Sequence, residues 1–299
     1  MSRSLLGTYL RFLRSPNLTD PPIAISTFKA AKSILRLYSL HLLLLLVVLA
    51  LINQIPSAQE SNNLLDILEG TSVWYLPMMA VVVAPLLEEC FFRLPLRAFA
   101  VNLLLPASLI LFGGTAIEAY GVLSTVGWRA IASAPVVICA IVAFINVYFG
   151  LKRTKLSGLQ AFYNKYSRIV FYSVALLFGA IHIFNYDANV WLFLPVLVLP
   201  QVIIGLLFGF VRLRYGFNWA LLLHAFHNGK VLLPVVLVQL FGSEQLQANV
   251  TEPPSLDALS QSDLVVTSVT SFYSIVGILL CGVVAWKLIR EWSDRQTRL

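Results

Sequence analysis

Charge is what this sequence most lacks. Only 12% of its 299 residues are Asp, Glu, Lys or Arg, whereas 59% are hydrophobic and the mean hydropathy is +0.82. An ordinary soluble domain carries about 25% charged residues. A water-soluble globule is thereby excluded, and a polytopic membrane protein is expected. Cysteine is nearly absent too. Cys90, Cys139 and Cys281 lie in or beside apolar runs without close partners in sequence. They form neither a disulfide framework nor a CxxC metal site, and buried free thiols are expected. The chain has no GxSxG elbow, no glycine-rich phosphate loop and no HExxH motif. That removes the usual sequence signals for serine hydrolases, phosphate binders and zincins. No cleavable signal peptide is apparent. The first apolar core starts only at Leu37, too late and too long for one, and is expected to remain as an anchor. No internal repeat stands out.

What the chain has instead is apolar runs of spanning length. Eight are expected, at roughly 37–53, 72–90, 98–115, 130–151, 168–186, 190–211, 216–241 and 264–287. In hydrocarbon each must be a helix that satisfies its own backbone, so the expected fold class is all-α. The expected organisation is a basic segment 1–36, a single transmembrane domain 37–287 and a tail 288–299. Connections between spans alternate in sign. Residues 53–71 carry Glu60, Asp66 and Glu69 and no base, and residues 152–167 carry Lys152, Arg153, Lys155 and Lys165 and no acid. Residues 242–263 again carry only acids, and the tail is mainly basic. This pattern predicts both termini in the cytoplasm. It also accounts for the net charge of +7 as topology, not as a nucleic-acid surface. The stretch LLGTYLRFLR at 5–14 reads either as an amphipathic helix on the inner membrane face or as a frayed basic tail.

Against this background the ionisable residues inside spans stand out, because each costs about 2.5–3.5 kcal/mol to insert and marks function by default. The stretch LLEECFFR places Glu88, Glu89 and Arg93 at the end of an apolar run. Glu89 and Arg93 are four apart and share a helix face, so they can pair, while Glu88 points about 100° away. Glu88 is then free to face a cavity and to act as a proton acceptor. The alternative is a helix end at headgroup level, where all three are simply wet. FGAIH sets Phe178 one turn before His182, and HAFHN sets His224 one turn before Asn228, with His227 between. A lone helical histidine is more often a packing residue than a ligand. Here three of the four histidines fall in these motifs, and the fourth, His41, lies in the first span. Two carboxylates, histidines, an amide and an arginine suit hydrolysis: a carboxylate activates water, imidazoles orient it and an amide steadies the oxyanion.

In order and on apolar helices, Glu88-Glu89-Cys90-Phe91-Phe92-Arg93, Phe178-Gly179-Ala180-Ile181-His182 and His224-Ala225-Phe226-His227-Asn228 resemble the motifs of the CPBP intramembrane proteases. That family comprises the type II CaaX prenyl endopeptidases and bacterial Abi-type proteins. The resemblance covers roughly residues 72–240. It implies that Glu88 activates the attacking water, His182 helps to hold it, and His224 and Asn228 stabilise the oxyanion. Glu89 completes this catalytic set by orienting it with Arg93, and Phe178 is a further orienting residue. The resemblance leaves two cofactor options open: none, or a zinc ion on Glu88, His182 and His224 with an open fourth position. It implies a peptide or protein substrate at the membrane, with or without a lipid anchor, and a bacterial plasma-membrane location. One departure is the spacing. Glu88 and His182 are 94 residues apart, and residues 98–150 look like an insertion of two spans or one long hairpin. A non-catalytic immunity or scaffold protein and a proton-coupled transporter remain alternatives.

Overall fold

The computed structural model describes residues 4–54, 77–97, 157–186, 190–243 and 259–297, with Trp74, Asn102, Pro106 and Leu246. Regular structure among them is helical. Helix α1 is Leu5–Arg14 and α2 is Thr27–Ile52. A π-helical turn, Met78–Val83, runs into α3, Ala84–Phe92. Helix α4 is Ser157–Ala180, tightened at its end into a 3-10 turn, Ile181–Asn185. Then follow α5 (Leu194–Leu197), α6 (Leu199–Arg214), α7 (Phe217–Phe241) and α8 (Gln261–Gln296).

Among the described residues four helices are long and apolar enough to cross a membrane: Thr27–Ile52, Ser157–Asn185, Phe217–Phe241 and Gln261–Gln296. They answer to the expected spans at 37–53, 168–186, 216–241 and 264–287. The spans expected at 98–115 and 130–151 lie outside the described residues, as does nearly all of the 98–150 segment.

The other two expected spans take a different form, and proline is the reason. The run at 190–211 is broken between α5 and α6, where Pro195 and Pro200 each remove a backbone donor. Of the run at 72–90, the described residues 77–90 form a π-helical turn joined to α3, with Pro85 just inside the α-helical part. In a π-helix each carbonyl is paired with the N–H five residues on, and Ala84 N–H indeed bonds to Met79 O. The next carbonyl, that of Ala80, would be paired with the nitrogen of Pro85, which has no hydrogen.

Three helices start earlier than their apolar runs, one of them α4, at Ser157. Helix α2 begins at Thr27 because Ala30 and Ile34 already face the core, so its basic first turns are helical as well. Helix α8 begins at Gln261 behind a capping box, in which Ser260 Oγ accepts from Asp263 N and Asp263 accepts from Ser260 N. The same buried carboxylate accepts from Ser243 N (2.7 Å) and Ser243 Oγ (2.8 Å), tying the end of α7 to the start of α8. Residues 5–14 form a helix, not a frayed tail. Its Leu6 and Tyr9 are buried, and Tyr9 O–H donates to His41 Nε2 (2.8 Å).

Helix α6 is the axis of the core. Residues Leu207 to Val211 are buried without interruption, as befits a helix surrounded on all sides. It crosses α4 closely because glycines face aromatic rings. A Cβ at Gly205 would lie 2.9 Å from Phe178 Cδ1, and one at Gly209 would lie 2.8 Å from Phe171 Cε2. This Gly-x3-Gly contact is the small-residue device that lets apolar helices approach. At its far end α6 is cross-tied to α3. Arg97 Nη2 donates to Leu213 O (2.6 Å), and Arg212 Nε donates to Arg93 O (3.0 Å). Each arginine thus satisfies a terminal carbonyl of the other helix, with a cation at each C-terminus. By contrast, α8 exposes Val265, Val269, Phe272, Leu279 and Val283 along its length. A continuous apolar face of this kind suits hydrocarbon, not water.

Candidate active site

The three motifs converge, although they are far apart in sequence. Glu89 and Arg93 lie one turn apart on α3, both side chains fully buried, with Glu89 Oε1 3.6 Å from Arg93 Nε. Their pairing is the one that four-residue spacing on a helix requires. The same Glu89 Oε1 lies 3.0 Å from His224 Nδ1 on α7. A carboxylate accepts, so His224 donates through Nδ1–H. Its Nε2 is then turned to Glu88, whose Oε2 is 3.7 Å away. Glu88 has 22% of its side chain exposed, whereas Glu89, Arg93 and His224 are buried. Its Oε2 has no hydrogen-bond partner among the described residues. The division between a buried, pairing Glu89 and a partly exposed Glu88 follows from the 100° offset of adjacent helical residues.

His182 sits in the 3-10 turn that ends α4, and its Nδ1–H donates to Phe178 O (2.7 Å). It joins the cluster through Phe178, whose ring also contacts His224 and Arg93. Helix α4 starts at Ser157, well before Arg168, and is kinked at Tyr166. His182 therefore has a long helical run behind it, and Arg168 does not mark the helix start. Phe178 is the hub of the packing. Its ring meets those of His182 (5.1 Å) and His224 (5.8 Å) edge-on. The Arg93 guanidinium lies over it at 4.2 Å, a cation–π contact that accompanies the ion pair. None of the three guanidinium nitrogens has a hydrogen bond among the described residues, so Glu89, Phe178 and Phe208 are what hold Arg93.

Asn228 has a scaffold contact that its motif does not imply. Its Nδ2 donates to Ala80 O (2.7 Å), the carbonyl in the π-helical turn that Pro85 leaves without a donor. One amide hydrogen is thereby committed to the scaffold, and the other stays available. Sequence reasoning also missed three contributors. Phe208 stacks on His224 at 4.6 Å between centroids and 30° between planes. Gly205 has no side chain, and Phe178 and Arg93 occupy the space beside it. Tyr38, on a span that the resemblance leaves out, hydrogen-bonds His227 Nδ1 at 2.9 Å. The signal for the first two was the GLLFG stretch at 205–209; a tyrosine in an apolar run gives none.

Among the described residues no group of three His, Cys, Asp or Glu side chains stands in position to hold a metal ion. In kind, the donors still suit one. His182 and His224 each give Nδ1–H to an oxygen and leave Nε2 open, the arrangement by which metal-binding histidines are usually oriented. Cys90 is buried and Cys281 is half-buried, both as free thiols, and Cys139 lies outside the described residues. Compared with protein-family models, with curated proteins and with solved structures, the chain matches none.

Proposed function

We propose that this chain is an intramembrane endopeptidase of the CPBP type, which hydrolyses a peptide bond in a membrane-associated protein or peptide. The observation that carries the reading is the bridge at Glu89. One fully buried carboxylate holds both Arg93 and His224 Nδ1, and this aims His224 Nε2 at the partly exposed Glu88. A separation of 3.7 Å is too long for a direct hydrogen bond, and a water beside it can bond to both groups. Glu88 takes a proton from that water as its oxygen attacks the peptide carbonyl carbon. The C–O bond forms, and the carbonyl electrons move onto the oxygen. As the tetrahedral intermediate collapses, the C–N bond breaks and Glu88 returns the proton to the departing amine. His182 Nε2 holds the water. His224 Nε2 accepts a hydrogen bond from it, and the second Asn228 hydrogen donates to the oxyanion. Glu89, Arg93 and Phe178 position these groups without touching substrate.

A zinc ion on Glu88, His182 and His224 would add Lewis-acid polarisation and a more acidic water. These three side chains would then be its ligands, while Glu89, Arg93 and Phe178 would keep their positioning roles. The proposed setting is the bacterial plasma membrane, with both termini in the cytoplasm and a substrate reached from that side.

The test is a terminal-peptide survey of membranes that hold equal amounts of wild type or Glu88→Ala. New termini produced only by the wild type are expected, and they would name the substrate. Identical surveys, with the variant folded and abundant, would remove Glu88 as the base and leave a scaffold or transport role.

A further inference from the structure

Away from the histidine cluster, a groove of about 570 Å³ runs between the first half of α2 and the last third of α8. That size lies within the range of ordinary ligand sites. One half of its lining is apolar. Phe28 is 76% exposed, Leu35 is 47% exposed, and Val284 faces them from α8. The other half is cationic: Lys32, Arg36 and Lys287. The faces follow from helical spacing, since residues 28, 32, 35 and 39 of α2 and residues 284, 287 and 291 of α8 each recur at about one turn. Arg36 is partly neutralised by Glu291, at 2.7 Å. Lys32 and Lys287 are exposed and have no ion pair among the described residues, where every salt bridge to lysine or arginine involves other groups. The groove therefore carries excess positive charge directly beside exposed hydrocarbon.

We propose that this groove binds an anionic phospholipid, its phosphate on Lys32, Arg36 and Lys287 and an acyl chain leaving along Leu35 and Val284 towards the apolar stretch. Placement supports that occupant. On α2 no charged residue follows Arg36, so the cations stand at the edge of the apolar stretch, where headgroups lie. Trp286 is 56% exposed on the same turn of α8, as residues at a membrane interface often are. A soluble anion would find no use for the apolar half, and a neutral lipid none for the lysines. The proposal stands apart from the hydrolytic reading.

The experiment measures lipid retention by the purified full chain in detergent, using phosphatidylglycerol and phosphatidylcholine with the same acyl chains. Tighter retention of phosphatidylglycerol is expected. Each of Lys32→Gln and Lys287→Gln should weaken it about fivefold, and the pair about 25-fold, as about 1 kcal/mol per basic residue near a headgroup implies. Arg11→Gln/Arg14→Gln removes the same charge from exposed positions on α1, outside the groove, and should change nothing. Equal retention of the two lipids overturns the proposal, as does an equal loss from the α1 control pair, which would mean diffuse surface attraction. Displacement by millimolar inorganic phosphate would also overturn it, reassigning the cations to a free anion.

Discussion

The hydrogen bond from Asn228 to Ala80 makes a quantitative statement about the π-helical turn. Ala80 O lacks a backbone donor because its π-helical partner is Pro85. Asn228→Ala removes the substitute donor, and in an apolar setting the orphaned carbonyl should cost about 1–2 kcal/mol. Pro85→Ala restores an N–H. It can bond to Ala80 in the π register, or let the turn relax so that Ala84 does so. In that background the cost of Asn228→Ala should largely vanish, leaving a coupling of about 1 kcal/mol in the double-mutant cycle. The assay is equilibrium unfolding of all four proteins in one detergent or bicelle. An additive cycle, within about 0.3–0.5 kcal/mol, refutes the account of the turn. The cycle also separates two roles. If Asn228→Ala/Pro85→Ala is as stable as Pro85→Ala yet cleaves no substrate, the amide acts on the reaction as well as on the scaffold.

Two further outcomes follow from the packing. Glu89→Ala leaves the buried Arg93 without its counter-ion and should cost about 3–5 kcal/mol in the same unfolding assay, while Glu89→Ala/Arg93→Met should be milder than the single change; equal losses would show that the pair is not coupled. Gly205→Ala drives a methyl group against Phe178 and should cost about 1–3 kcal/mol together with activity, whereas Gly277→Ala, with nothing within 4 Å, should be close to neutral; equal effects would remove the close approach as the reason for glycine.

How much was legible in the sequence varied with the range of the cause. The facing of Glu89, Arg93 and Glu88 was readable because it depends only on the helical repeat, and the structure pairs Glu89 with Arg93 as that repeat requires. The helical class was readable because hydrocarbon permits little else. The break between α5 and α6 was local as well: Pro195 and Pro200 were in view, but uninterrupted hydropathy outweighed them. The bond from Asn228 to Ala80, the Tyr38 contact to His227 and the stacking of Phe208 on His224 join separate helices. No periodicity within one segment encodes them. The motif reading gave Asn228 an oxyanion role without seeing that proline chemistry, eight positions before Arg93, had already engaged half of its amide.

The crossed arginine caps between α3 and α6 have a mechanical consequence. Arg97 and Arg212 fasten these two helices at their C-terminal ends, so neither can slide lengthwise past the other there without uncapping a carbonyl. Their opposite ends are built from weaker backbone, with Pro77 and Pro85 around the π-helical turn and Pro195 and Pro200 around the α5–α6 break. The pair is thus a fork, clamped at the handle and compliant at the tines. Relative motion between α3 and α6 is a splaying of the proline-bearing ends. The carboxylates of Glu88 and Glu89 lie near the clamp, where the least movement reaches them.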